Sequence, residues 1–128
     1  MRTTIGDLMH TGEQVPIVYE NSDLSVIISE MTQKRLGVTL ITNKKKQLKG
    51  IITDGDLRRM IKDKKDVSKI RALDLSKRFP KWLEQNNLAT KAVQLMEEYS
   101  ITSLVVSANG NKIDGIIHLH YLLKAGII

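Results

Sequence analysis

The sequence repeats itself, and the repeat limits what the chain can fold into. Shifted by 65 residues, Met31 falls on Met96, Leu36 on Ile101, Leu40-Ile41 on Val105-Val106, Gly50-Ile51-Ile52 on Gly115-Ile116-Ile117 and Leu57 on Leu122. Pro16 and Pro80 align at a shift of 64, so the second copy carries one extra residue near the start of its long helix. A duplication of this period marks a supersecondary unit that cannot bury its apolar face alone. About 60 residues enclose little core, so the two copies are expected to pack their sheets together across a pseudo-twofold axis.

Each copy reads as β-α-β-β-α after a short helical lead-in, which predicts an α/β fold. Thr3-Thr4 caps a lead-in bearing Ile5, Leu8 and Met9, and a strand follows Pro16 at Ile17-Val18-Tyr19. Ser22-Asp23 caps a helix whose Leu24, Ile27, Ile28 and Met31 step by three and four. Val38 to Ile41 reads as a buried strand, Asn43 to Gln47 as a basic turn, Leu48 to Thr53 as the returning strand and Asp54 to about Asp63 as a helix. The second copy has a lead-in at Ile70, Leu73 and Leu75, a strand at Lys81-Trp82-Leu83, and a helix carrying Leu88, Ala92, Leu95, Met96 and Tyr99. Thr102 to Val106 and Ile113 to Ile117 are its paired strands, joined through Asn109-Gly110, a type I′ hairpin signal. The last helix carries Tyr121, Leu122 and Leu123, with Gly126 near its end. The divisions expected are 1–63 for the first repeat with its lead-in, 64–71 for a charged linker and 72–128 for the second repeat.

Composition narrows the function classes. No apolar run approaches the ~20 residues of a membrane span, and Met1-Arg2-Thr3-Thr4 is not a signal peptide. With no cysteine there is no disulfide, thiol nucleophile or thiolate metal site, which fits a reducing cytoplasm. Charge is unevenly placed: residues 34–81 hold 16 of the 20 Lys/Arg and 5 of the 14 acids, net +11, against −5 elsewhere. A basic middle attracts nucleic acid, membrane surfaces or phosphorylated ligands, or it simply keeps turns and a linker wet. Nonspecific nucleic-acid binding through Lys44-Lys45-Lys46, Lys49 and the linker lysines is an alternative, and five aromatic residues supply little platform for stacking bases, which argues against sequence readout.

The place built to hold something is Gly50-Ile51-Ile52-Thr53-Asp54-Gly55-Asp56-Leu57-Arg58-Arg59, where an apolar strand runs into a polar helix start. Amides at a helix start suit a phosphate. Asp56 suits the hydroxyls of a sugar diol, with Arg58 or Arg59 closing over the ligand. Thr53-x-x-Asp56 also fits a capping box with Asp in place of Glu, whose side chains satisfy orphan amides and bind nothing. His118 and His120, two apart, and His10 are thin support for a metal site and better suit hydrogen bonds or a phosphate contact. Trp82 could stack a base or serve in packing. No serine sits in a nucleophile elbow and no Walker loop or H-E-x-x-H occurs, so no catalytic residue is assigned and the chain does not read as an enzyme.

Over its whole length the sequence resembles a tandem pair of cystathionine-β-synthase (CBS) domains, a Bateman module. The duplication and Gly50-Ile51-Ile52-Thr53-x-x-Asp56-Leu57 carry the resemblance. Met9-His10-Thr11-Gly12-Glu13, the run from Thr53 to Arg59, His118-Leu119-His120 and Leu122 to Gly126 are further similar to the C-terminal regulatory region of arabinose 5-phosphate isomerases. Those enzymes supply the precursor of the lipopolysaccharide sugar Kdo, by chemistry in an upstream sugar-isomerase domain that is absent here. The resemblance thus implies either a segment of a longer protein or a stand-alone relative. It implies association as dimers, no required cofactor, and an adenine nucleotide such as AMP or ATP, or a CMP-sugar, as effector in clefts between the halves. The first cleft would draw on Thr53, Asp56, Gly37, Val38, Pro16, Ile17 and Arg58. The second, with Trp82 and Thr102, has His118 and Tyr121 where the pattern carries Ser/Thr and Asp, and is expected to be weaker, altered or empty. The competing reading is a module that only holds an oligomer together.

Overall fold

The computed structural model describes residues 2–63 and 66–128. In chain order the elements are α1 (Ile5–Leu8), β1 (Ile17–Tyr19), α2 (Leu24–Lys34), β2 (Val38–Thr42), β3 (Leu48–Thr53), α3 (Asp54–Asp63), α4 (Ala72–Leu75), β4 (Trp82–Leu83), α5 (Ala89–Tyr99), β5 (Ser103–Val106), β6 (Gly115–His118) and α6 (Leu119–Lys124). They form two compact units, one of residues 16–80 and one of residues 1–15 with 81–128.

In the 16–80 unit the sheet order is β1-β2-β3, with β1 parallel to β2 and β2 antiparallel to β3. Every residue of β2 is buried, as a central strand covered on both faces requires. Asp23 caps α2 by accepting from the Val26 amide at 3.0 Å, as the sequence predicts. The helix ends at Arg35, a left-handed residue (φ 62) whose amide donates to the Met31 carbonyl. Ile27 and Met31 from α2, Ile41 and Ile52 from the sheet and Leu57 from α3 make the core, together with Ile70, Ala72 and Leu75.

The second unit repeats this plan as β4-β5-β6 with the same sense of pairing. Its core is Ala89, Ala92 and Met96 from α5, Leu104, Val106 and Ile117 from the sheet, Leu122 from α6, and Ile5 from α1. Each lead-in therefore completes the core of the repeat that it does not precede in sequence. Of the linker expected over 64–71, Lys64 and Lys65 lie outside the described residues, while Val67–Lys69 form a 3-10 turn capped by Asp66.

The type I′ hairpin is not formed. Its two central residues both need positive φ, and of Asn109 and Gly110 only Gly110 has it (φ 77). Instead the Ser107 hydroxyl accepts from the Asn109 and Gly110 amides, and the Asn109 side-chain oxygen accepts from the Asn111 and Lys112 amides. Satisfying these amides with side chains stabilises a longer loop, and β6 begins at Gly115 rather than Ile113.

Candidate functional site

The passage from β3 into α3 forms because the strand pattern ends at Thr53 while its neighbour in β2 keeps it in register: Thr53 pairs with Val38, and the Asp54 amide donates to the Gly37 carbonyl at 3.0 Å. Gly37 has φ 71, and a side chain there would come within 3.0 Å of Asp54 Oδ2. Thr53 and Asp56 make a reciprocal box. The Thr53 amide donates to Asp56 Oδ2 at 2.9 Å and the Asp56 amide donates to Thr53 Oγ1 at 3.2 Å. Asp56 is 7% exposed, and its Oδ1 accepts from Arg59 Nη2 at 2.7 Å. The arginine is largely exposed, so this ion pair contributes on the order of 1 kcal/mol or less. Its main effect is to fix the carboxylate. Each carboxylate oxygen accepts two hydrogen bonds, so Asp56 keeps capacity for a ligand hydroxyl.

The other expected residues fall around this passage unevenly. Gly37 and Val38 lie directly beside Thr53. Pro16 is buried and its carbonyl accepts from the Leu40 amide, while the exposed Ile17 gives its amide to Glu30 Oε2, so both sit one strand further away. Arg58 is exposed, and Arg59 is the arginine on Asp56. The spacing of three between Asp56 and Arg59 carries that signal in the sequence.

The equivalent passage from β6 into α6 keeps the backbone plan and changes the chemistry. Ser103 pairs with His118 as Val38 pairs with Thr53, and the Leu119 amide donates to the Thr102 carbonyl at 2.8 Å. His118 takes the capping role through Nδ1, which accepts from the His120 amide at 3.1 Å. Tyr121, in the place of Asp56, stacks on the His10 ring at 3.7 Å between centroids and 12° between planes. Burial and the nearby Lys124 ammonium push the His10 pKa down, and burial pushes that of Tyr121 up. Trp82 is half-exposed and covers Gly110, where a Cβ would meet the indole at 2.7 Å. The indole thus packs against the β5–β6 loop at Gly110. Sequence reasoning missed Ser103, whose buried hydroxyl has no hydrogen-bond partner among the described residues. The signal lay in the repeat, where its counterpart is the apolar Val38. No group of three or more His, Cys, Asp or Glu placed to hold a metal occurs among the described residues.

The CBS domain model matches residues 5–63 and again 73–127, and the chain belongs to the CBS-domain family as a tandem pair. Its relatives include arabinose 5-phosphate isomerase KdsD of Yersinia pestis, 39% identical over 124 residues, and KdsD of Escherichia coli K12, 36% identical over 124 residues. Each alignment covers 97% of this chain but 38% of the relative, so the chain spans well under half of those proteins. Solved structures with the same fold include CBSX2 in complex with AMP, with a TM-score of 0.81 at 18% identity over 98% of this chain and 96% of that one. Another is the CBS pair of MJ0100 in complex with 5-methylthioadenosine and S-adenosyl-L-methionine, with a TM-score of 0.84 at 15% identity over the whole of both chains.

Proposed function

We propose that this chain is the ligand-sensing CBS pair of an arabinose 5-phosphate isomerase and that it takes a nucleotide or sugar nucleotide at the passage from β3 into α3. Ligand hydroxyls go to Asp56, phosphate goes to Thr53 and the first turn of α3, and Arg58 closes over it. The observation that carries this reading is the Asp56 carboxylate, nearly buried yet held in one orientation by the Thr53 amide and Arg59. Relatives named as KdsD and neighbours solved with adenosine-containing ligands support it. The isomerase chemistry then belongs to a separate domain, in the cytoplasm, in the supply of a lipopolysaccharide sugar, and the modules pair as dimers. Ligand binding regulates by favouring one arrangement of the modules over another, which requires different affinity for the two.

A thermal-shift screen against AMP, ADP, ATP, CMP, a CMP-sugar and arabinose 5-phosphate tests this, with Asp56→Ala in parallel. The expected result is a saturable rise in melting temperature for one compound, absent in the variant relative to its own ligand-free value. A second reading rests on the same geometry: both Asp56 oxygens already serve the cap and Arg59, so the box is purely structural. Under it Asp56→Ala loses about 1 kcal/mol and no compound shifts either protein.

A further inference from the structure

One end of the 16–80 sheet carries a concentration of positive charge that the fold does not need. Residues 42–50, where β2 turns into β3, hold four lysines and no acid, against one lysine and one aspartate over the matching residues 107–115. The repeat is an internal control, because the chain crosses from β5 to β6 without that charge. Lys44, Lys45, Lys46 and Lys49 are all exposed, and none forms an ion pair among the described residues. Their backbone is firmly placed. Asn43 Oδ1 accepts from the Lys45 and Gln47 amides, each at 3.0 Å, and Asn43 Nδ2 donates to Gln47 Oε1 at 2.8 Å. Lys46 takes left-handed backbone (φ 62), which favours glycine or asparagine, yet the position holds a lysine. Lys49 is the residue that the pairing skips between Leu48 and Gly50, so it stands in a bulge.

Beside the turn lies an open recess of about 330 Å³ lined by Tyr19, Glu20, Asn21 and Lys44. Tyr19 ends β1 opposite Thr42 and is 53% exposed. The Glu20 amide donates to the Thr42 carbonyl at 2.9 Å and the Tyr19 amide to Ser22 Oγ at 3.0 Å, so the ring stands on fixed backbone. β2 runs from Val38, beside Thr53, to Thr42, so roughly 13 Å of strand separates this end from the passage into α3. An exposed ring beside cations suits an unpaired base and the phosphates on either side of it. Lys45, Lys46 and Lys49 do not line the recess, so the charge runs past the space that one nucleotide fills. We propose that this end of the 16–80 unit binds single-stranded nucleic acid without reading its sequence. One base stacks on Tyr19, Glu20 and Asn21 take its polar edge or sugar hydroxyls, and the phosphates pass along the four lysines. A membrane surface fits less well, because no apolar side chain is exposed among residues 42–50 to enter it.

Fluorescence anisotropy of the 128-residue chain with labelled oligo(dT) and oligo(U) of about 15 nucleotides tests this, from about 50 to about 200 mM salt. The proteins are wild type, the triple variant Lys44→Gln/Lys45→Gln/Lys46→Gln, Tyr19→Ser and Tyr19→Phe, with circular dichroism to establish that each is folded. Four phosphate contacts predict that wild-type affinity falls about fiftyfold across that salt range, and the single contact left in the triple variant predicts a fall of about threefold. Tyr19→Ser is expected to bind about fivefold or more weakly at every salt concentration, with the wild-type salt dependence, and Tyr19→Phe to bind as wild type does. A salt dependence unchanged in the triple variant overturns the proposal, as does Tyr19→Ser binding as tightly as wild type. A wild type that ignores both oligonucleotides at about 50 mM salt overturns it outright, and its co-sedimentation with phosphatidylglycerol vesicles would then assign the lysines to a membrane surface instead.

Discussion

At the scale of single residues, the two strand-to-helix passages show how one backbone plan carries two chemistries. Thr53 and His118 do the same capping work, one through a hydroxyl and one through Nδ1. The difference lies three residues on, where Asp56 is a fixed carboxylate and Tyr121 is a phenol covered by His10. His10 gives this a pH dependence. Burial and Lys124 hold its pKa below the ordinary 6.5, so the folded chain takes up the proton less readily than the unfolded chain. Above that pH both states are neutral and the group adds nothing to the slope. As pH falls below 6.5 the unfolded chain is protonated first, and stability falls until the folded-state pKa is passed. Urea denaturation from about pH 7.5 to about pH 5.5 is expected to show this loss, and to show less of it in His10→Gln. An identical slope in both proteins would mean that His10 is not held neutral by the fold.

At the scale of elements, the glycine that opens each passage is set by the lead-in that crosses it. Ile116 and His10 exchange two backbone hydrogen bonds of 2.9 Å, and a Cβ on Gly115 would lie 2.5 Å from the His10 carbonyl oxygen. In the other unit the Ile51 amide donates to Ser76 Oγ at 3.2 Å, and a Cβ on Gly50 would lie 2.8 Å from the Ser76 Cβ. Because the His10 carbonyl cannot move without breaking its hydrogen bond, Gly115→Ala is expected to lower the unfolding free energy by about 2–3 kcal/mol, read by denaturant titration. A loss within a few tenths would show that the lead-in gives way. The repeat made Gly50 and Gly115 visible in the sequence, but not the reason for them, because the Ser76 side chain that presses on Gly50 is 26 residues away in the chain and the His10 carbonyl that presses on Gly115 is 105 residues away. The same limit explains the β5–β6 loop. Asn109-Gly110 is a strong local signal for a tight hairpin, and the side chains of Ser107 and Asn109 override it by satisfying the loop amides another way.

At the scale of the whole molecule, the duplication made the architecture legible: strands, helices and their order follow from apolar spacing read twice. Thr53 and Asp56 were legible as a pair because a capping box and a ligand motif ask for the same residue types at the same spacing. For that reason the sequence could not choose between them, and geometry satisfies the cap while leaving the carboxylate capacity for a hydroxyl. The regulatory account places its ligand at the first passage, with the second weaker, altered or empty. Isothermal titration calorimetry of the best ligand from the thermal screen, into wild type, Asp56→Ala and Tyr121→Phe, measures this directly. The account expects one site per chain in wild type and Tyr121→Phe, and no binding in Asp56→Ala. Binding that survives Asp56→Ala and is lost in Tyr121→Phe would contradict it.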